Sequence, residues 1–299
     1  MRSALVASTL AALLFAATAQ AAPDPAVAAA QTRAFLDSLQ YRTGVVAIPE
    51  AKASLQVQSG FRYLAQADAR RVLEDFWSNP PDESVLGLLV PDNAGLDSEH
   101  SWAVVVSYSD DGYIADEDAA KLDFDEILAG MKQDTADENA ERKHAGYGTV
   151  ELLGWAQPPR YDAAAKRIHW AKQLRFEGES QDTVNYDIRV LGRGGYLSLN
   201  AVASASDLAL VRDGMARVLP MAQFDAGQRY ADYRPGSDKL AAYGLAALVG
   251  GGAAAKAGLF AKIGAFLLAA KKLVALVLVG LVALGARLFR GRKDGGPGV

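Results

Sequence analysis

Apolar positions change their rhythm three times along the chain. Positions 4–17 form one nearly unbroken apolar run, positions 41–235 mix short alternations with helical spacings, and 240–255 and 273–286 are apolar again. In the middle part, 44–49 and 54–58 read as short strands, and 84–90 and 102–108 as β-prone runs. Convincing alternation follows at 149–157, 167–176, 183–191 and 196–202. Helical spacing marks 24–40, then 67–77 with Val72, Leu73, Phe76 and Trp77 on one side, then 124–143 and 206–219. Asn79-Pro80-Pro81 stops the second of these, and Ser206 or Asp207 is expected to cap the last. Strands joined by hairpins and interrupted by few helices predict an α+β domain built mainly on an antiparallel sheet.

The ends read differently. Arg2, the apolar run and Ala19-Gln20-Ala21 before Pro23 have the three parts of a secretory signal peptide (1–21), with cleavage expected after Ala21 and a helical leader at 22–40. At the other end 273–286 is purely apolar, and Arg287, Arg290, Arg292 and Lys293 follow it. Such a segment rises only about 21 Å as a helix against a hydrocarbon core of about 30 Å. Snorkelling Lys271, Lys272 and Arg287 extend it, so a transmembrane anchor at 267–290 with a basic tail at 291–299 is expected. The Ala/Gly-rich stretch 240–262 is read either as a second span or as a helix lying at the interface. The exported domain is then 41–235, in the periplasm of a bacterium, with the anchor in the inner membrane and the C-terminus cytoplasmic.

Composition changes this picture in two respects. The formal charge of −4 divides into +1 over 1–21, −12 over 22–239 and +7 over 240–299, an acidic body on a basic, apolar tail. That excludes a general electrostatic case for nucleic acid and points to a lipid bilayer as one partner. With no cysteine in its 299 residues, the chain offers no disulfide scaffold, thiolate catalysis or cysteine-based metal site.

Candidate chemistry is sparse. His100, His144 and His169 stand at no metal-ligand spacing from one another, and His169 reads as a solvent-face or cross-strand residue. No nucleophile-elbow or phosphate-loop motif occurs. Gly192-Arg193-Gly194-Gly195 joins strand to strand and reads as a hairpin turn, not a dinucleotide fingerprint. Asp110, Asp111, Asp116 and Asp118 lie in the densest acidic stretch, where hard cations find oxygen ligands, although a turn and a solvated helix start explain the same residues. Trp77 and Asn79, and Trp155, Arg160, Tyr161 and Asp162, combine aromatics with prolines at element ends. They read as a binding platform or as plugs at the edge of a sheet. Arg189 is a further candidate binding residue.

The words WSNPP, SWAVVVSYSDDGYIADEDA, GWAQPPRYDAAAKRIHWAKQLRF and VNYDIRVLGRGGYLSLNAVA, in this order and before an Ala/Gly-rich tail, carry a resemblance. Over about 40–290 the chain resembles the bacterial family known as domain of unknown function 2167, described as predicted membrane-anchored proteins. The resemblance implies an exported, anchored domain and brings no catalytic assignment. More loosely, the sheet closed by a helix before the anchor is similar to the PsbP-type fold. The expectation is therefore a binding or accessory domain of the cell envelope with an envelope protein partner and no cofactor. The alternative is a cation-dependent hydrolase or cation-binding protein built on the carboxylates at 110–118 with Arg160 or Arg189.

Overall fold

Most of the alternating stretches pair into one eight-stranded antiparallel sheet in a computed structural model that describes residues 25–79, 81–98, 100–144 and 148–251. The chain divides into two units, Met1–Leu39 and Gln40–Val299. In the first, α1 (Pro25–Asp37) is followed by Ser38, whose hydroxyl donates to the Phe35 carbonyl at 2.6 Å.

In the second unit the chain runs β1 (Tyr41–Arg42), β2 (Gly44–Ile48), β3 (Ala53–Val57), β4 (Phe61–Ala65) and α2 (Gln66–Arg70), which passes directly into a π-helical turn, Arg71–Phe76. Next come β5 (Val85–Pro91), β6 (Ala103–Ser109), α3 (Phe124–His144), β7 (Val150–Asp162), β8 (Arg167–Phe176), β9 (Thr183–Leu191) and β10 (Tyr196–Ser204). The chain then forms α4 (Leu208–Val218), β11 (Ala222–Phe224) and α5 (Leu245–Gly250). The large sheet has the order β1-β4-β5-β6-β10-β9-β8-β7, and a second sheet the order β11-β3-β2. The fold is α+β, with a large antiparallel sheet and few helices.

Alternation gives the large sheet two different faces. Tyr186 and Ile188 of β9, Leu197 and Leu199 of β10 and Val104 and Val106 of β6 are buried together with Val211, Met215 and Val218 of α4 and with Leu55 and Val57 of the small sheet. On the opposite face Ile168, Trp170 and Leu191 pack with Ile114, Tyr230, Leu245 and Leu248. This second core covers only the β8 end of the sheet, which leaves part of that face available.

Trp102 illustrates how tightly the first core is filled. It is 2% exposed and meets Phe61 edge to face at 6.1 Å. A Cβ placed on Gly214 of α4 would lie 2.4 Å and 2.5 Å from its indole carbons. Gly214→Ala gains about 1 kcal/mol of helix propensity but overpacks the buried Trp102 ring, at about 3 kcal/mol. A net loss of about 2 kcal/mol is expected, read as a lower urea midpoint with unchanged m. An unchanged midpoint would show that the ring gives way.

Several expectations are corrected. Strands β1, β4 and β11 are additional to those expected; β1 is only two residues long, β4 lies directly before a helix and β11 is only three residues long. β7 runs on through Pro158 and Pro159, which is tolerated because it is the edge strand. The expected 67–77 helix starts at Gln66 and turns π-helical at Arg71. Asp207 stands at the N-cap of α4 as expected but makes no side-chain cap bond; the hydroxyl that accepts a backbone N–H is that of Ser204, ahead of the 3-10 turn Ala205–Asp207. The Ala/Gly-rich stretch, expected as one helix over 240–262, is described to Gly251, and up to there Leu245, Leu248 and Val249 are buried in the second core. The signal segment 1–21 and the anchor 267–290 lie outside the described residues. Among the described residues no helix is long and apolar enough to cross a membrane.

Candidate functional site

The uncovered part of the second face forms the floor of a cleft of about 640 Å³. Cross-strand pairing determines which side chains meet there. Val85, Ser107, Ser198 and Arg189 form one row across β5, β6, β10 and β9, and Val105, Asn200 and Asp187 form the next across β6, β10 and β9. Ala103, Val202 and Asn185 make a third row, which continues to Lys172 on β8. The floor is thus aliphatic toward β5 and β6 and polar toward β10 and β9. Leu73, Glu74, Trp77, Asn79 and Asp82 form the wall beside β5.

Asp187 is the centre of the polar half, and its side chain is 3% exposed. One carboxylate oxygen accepts from the Asn200 amide at 2.8 Å and lies 2.9 Å from an Arg189 nitrogen. The other faces Lys172 Nζ at 3.6 Å and has no hydrogen-bond partner. Asn200 also donates to Asn185 at 2.6 Å. Arg189 lies over the faces of Trp170 at 5.3 Å and Tyr196 at 5.7 Å, yet its buried Nε has no acceptor. Two cations thus share one buried carboxylate; Arg189 Nη1 also donates to the Ile188 carbonyl at 3.3 Å, and only its buried Nε is left without an acceptor.

Local backbone geometry positions the wall. The π-helical turn ends at Trp77, and Ser78 then takes a left-handed conformation with φ 56°. Asn79 folds back, and its backbone N–H and side-chain amide both donate to the Leu73 carbonyl, at 2.8 Å and 3.1 Å. The Trp77 indole N–H donates to the Leu96 carbonyl at 3.1 Å, which fixes the ring. Glu74 is already engaged, by Arg70 at 2.6 Å and by the Asp82 N–H at 3.2 Å, and the Arg70 contact holds its carboxyl below the usual range.

Of the residues singled out by sequence, Trp77, Asn79 and Arg189 come together at this cleft. The others lie elsewhere. Trp155 packs against the second core and donates to the Phe124 carbonyl at 3.2 Å. Arg160 is exposed on β7 opposite His169. Asp162 accepts from the Ala164 and Ala165 N–H groups in the β7–β8 turn. His169 stacks parallel to Tyr186 at 6.3 Å, and burial, reinforced by Arg160, lowers its pKa.

The acidic stretch serves as a fastening. Gly112 has φ +111°, and a Cβ there would lie 2.8 Å from the Lys239 carbonyl and the Ala241 nitrogen, so only glycine lets the 239–241 backbone pass. Tyr113 exchanges backbone hydrogen bonds with Lys239 and Ala241, each 2.8 Å. The Asp110 carbonyl accepts from Lys239 at 2.8 Å, and Asp111 accepts from the Tyr243 hydroxyl. Asp116 accepts from the Tyr161 hydroxyl, from Lys166 at 2.6 Å and from Tyr230 at 2.9 Å. Asp118 keeps one buried oxygen without a partner. Among the described residues no three His, Asp or Glu side chains come together to hold a metal ion.

Sequence reasoning missed Asp187, Asn185, Ser198, Asn200 and Lys172. Their signal was the odd-numbered polar set Asn185, Asp187 and Arg189 on an otherwise apolar strand, which resembles an ordinary solvent face.

No curated protein matches the chain. Among solved structures it is similar to cyanobacterial PsbP (CyanoP) from Synechocystis sp. PCC 6803, at 10% identity and TM-score 0.34, over 63% of this chain and 93% of that one. It is also similar to the Ran-binding protein Mog1p of Saccharomyces cerevisiae, at 11% identity and TM-score 0.32, over 62% and 96%. The family profile described as "Protein of unknown function (DUF2167)" matches residues 40–283, most of the sequence, and the chain belongs to that family.

Proposed function

We propose that the protein is an exported, membrane-anchored binding module of the bacterial cell envelope, which recognises its partner through the cleft over β6, β10 and β9. The signal pattern at 1–21, the anchor pattern at 267–290 and the charge division between body and tail support the location. The Asp187–Arg189–Lys172 network carries the recognition reading. Ion pairs withdrawn from water cost several kcal/mol of desolvation, and an apolar replacement is often as stable. Of that network Arg189 lines the cleft together with Asn200, above the buried Asp187, and is the member available to a partner.

Photo-crosslinking in intact cells tests this reading. Val202 in the cleft is 49% exposed, and Val45 on the small sheet is 67% exposed. A photoreactive residue at position 202 is expected to give a discrete adduct that is absent at position 45. Equal labelling at both positions, or none at 202, would overturn the reading.

A further inference from the structure

We infer that a second cavity, between the β7–β8 turn, the adjoining end of β9 and strand β11, binds a phosphoryl oxyanion through Arg167 and Arg229. None of its lining residues lines the cleft, so the site stands whatever the cleft binds. Long-range pairing assembles it. Lys166, in a left-handed conformation with φ 52°, ends the β7–β8 turn, and its carbonyl accepts from the Leu191 N–H at 2.9 Å. Arg167 lies opposite Val190 of β9, and Arg229 bridges to Gly192 just beyond that strand. With Val190, Leu191 and Phe224 as apolar wall, these residues enclose about 270 Å³.

Charge indicates the ligand. Lys166, Arg167 and Arg229 line the cavity and no acid does. Lys166 is engaged by Asp116 at 2.6 Å. Arg167 and Arg229 have no acid within ion-pair distance among the described residues. Nearby carboxylates have backbone partners: Asp162 accepts from the Ala164 and Ala165 N–H groups, and Asp232 from the Arg229 N–H at 2.9 Å. Burial lowers the Arg167 pKa and Asp162 offsets only part of that, so a guanidinium is drawn out of water without full compensation. Its Nη2 donates to the Ala222 carbonyl at 3.1 Å and its Nε is buried without an acceptor, whereas Nη1 is neither buried nor bonded. The donors open to a ligand are therefore Arg167 Nη1 and the exposed Arg229 side chain.

Geometry selects the group. A carboxylate presents two oxygens along one edge, which a single guanidinium fork occupies. A tetrahedral phosphoryl group presents oxygens in several directions, so guanidinium groups from two separate segments each take one. The volume lies just below the range of about 300–1,000 Å³ of sites that enclose a whole drug-sized ligand, and it suits a phosphoryl group with a short appendage. A soluble phosphate monoester and a phospholipid headgroup share this chemistry.

The test uses the full chain in dodecyl maltoside micelles, which carry no phosphate, titrated calorimetrically with inorganic phosphate, glycerol phosphate, dihexanoylphosphatidylglycerol and acetate. The preferred phosphoryl probe is expected to bind saturably, one per chain, and at least tenfold more tightly than acetate. The order among the three names the source: a soluble phosphate where either of the first two binds most tightly, a lipid headgroup where the third does. Arg229→Gln alters an exposed side chain and should weaken the preferred probe at least tenfold, with the Tm of the ligand-free protein unchanged. Arg167→Gln should abolish binding, but it also disturbs the bond to the Ala222 carbonyl and can fail to fold, so Arg229→Gln carries the decision. Acetate bound as tightly as the phosphoryl probes, insensitivity to Arg229→Gln, or no saturable binding would overturn the inference. Val202→Trp in the cleft should leave phosphoryl binding unchanged; a tenfold loss there would put the anion in the cleft and overturn this site.

Discussion

Asp187→Ala is expected to destabilise the protein by about 3–5 kcal/mol, the cost of breaking a buried ion pair from one side. Among the described residues this carboxylate is the one acid that pairs with Arg189, at 2.9 Å, and with Lys172, at 3.6 Å, and it also accepts from Asn200 at 2.8 Å. Its removal leaves two cations on adjacent strands and an amide short of one acceptor, in a site where Asp187 is 2% exposed. Asp187→Asn should cost less, because an oxygen remains for Asn200. Replacing Asp187 and Arg189 together by leucine should recover most of the loss, since the desolvation penalty disappears with the charges. Urea denaturation of the four proteins checks the series. A neutral Asp187→Ala would mean that the network contributes nothing to the fold, and a double variant no better than the single would mean that Lys172 is the decisive partner.

The sheet was legible in the sequence because several of its strands alternate between apolar and polar positions. In VNYDIRVL, Val184, Tyr186, Ile188 and Val190 alternate with Asn185, Asp187 and Arg189, and a half-buried strand is the direct consequence. The cleft was not legible, because it depends on pairing between distant segments. Ser107 and Ser198 are neighbours only because β6 pairs with β10, about ninety positions later. Arg189 stands out as a cation on this strand, but nothing local distinguishes Asp187 on a solvent face from Asp187 beneath a cleft. The partners of the acidic stretch were not legible for the same reason. Asp111 and Asp116 look like free oxygen ligands until Tyr161, Tyr230 and Tyr243, 45, 114 and 132 residues away, arrive as donors.

Asp116→Ala should lower stability by about 3 kcal/mol at pH 7, the lower end for a buried pair, since the Asp116 side chain is 16% exposed. The carboxylate holds the Asp116 segment, the β7–β8 turn through Tyr161 and Lys166, and the segment of Tyr230 in one place. Burial alone would raise its pKa, but hydrogen bonds from Lys166, Tyr161 and Tyr230 outweigh that and bring it below the ordinary value. A carboxyl lowered on folding contributes stability that is complete above its unfolded pKa of about 3.9 and fades as pH falls through the folded value. The gap in Tm between wild type and Asp116→Ala should therefore be constant from pH 7 down to about pH 5 and close in stronger acid. Tyr161 and Tyr230 are shifted the other way, upward, by burial first and then by hydrogen bonding, including that to Asp116. Both hydroxyls then stay protonated well above the ordinary tyrosine value of about 10, and this part of the stability is lost only as pH rises through the raised values. In the alanine variant tyrosinate absorbance should appear at lower pH than in wild type. A Tm gap that persists unchanged into acid would separate the loss from the charge of Asp116 and assign it to packing around Tyr161 and Tyr230.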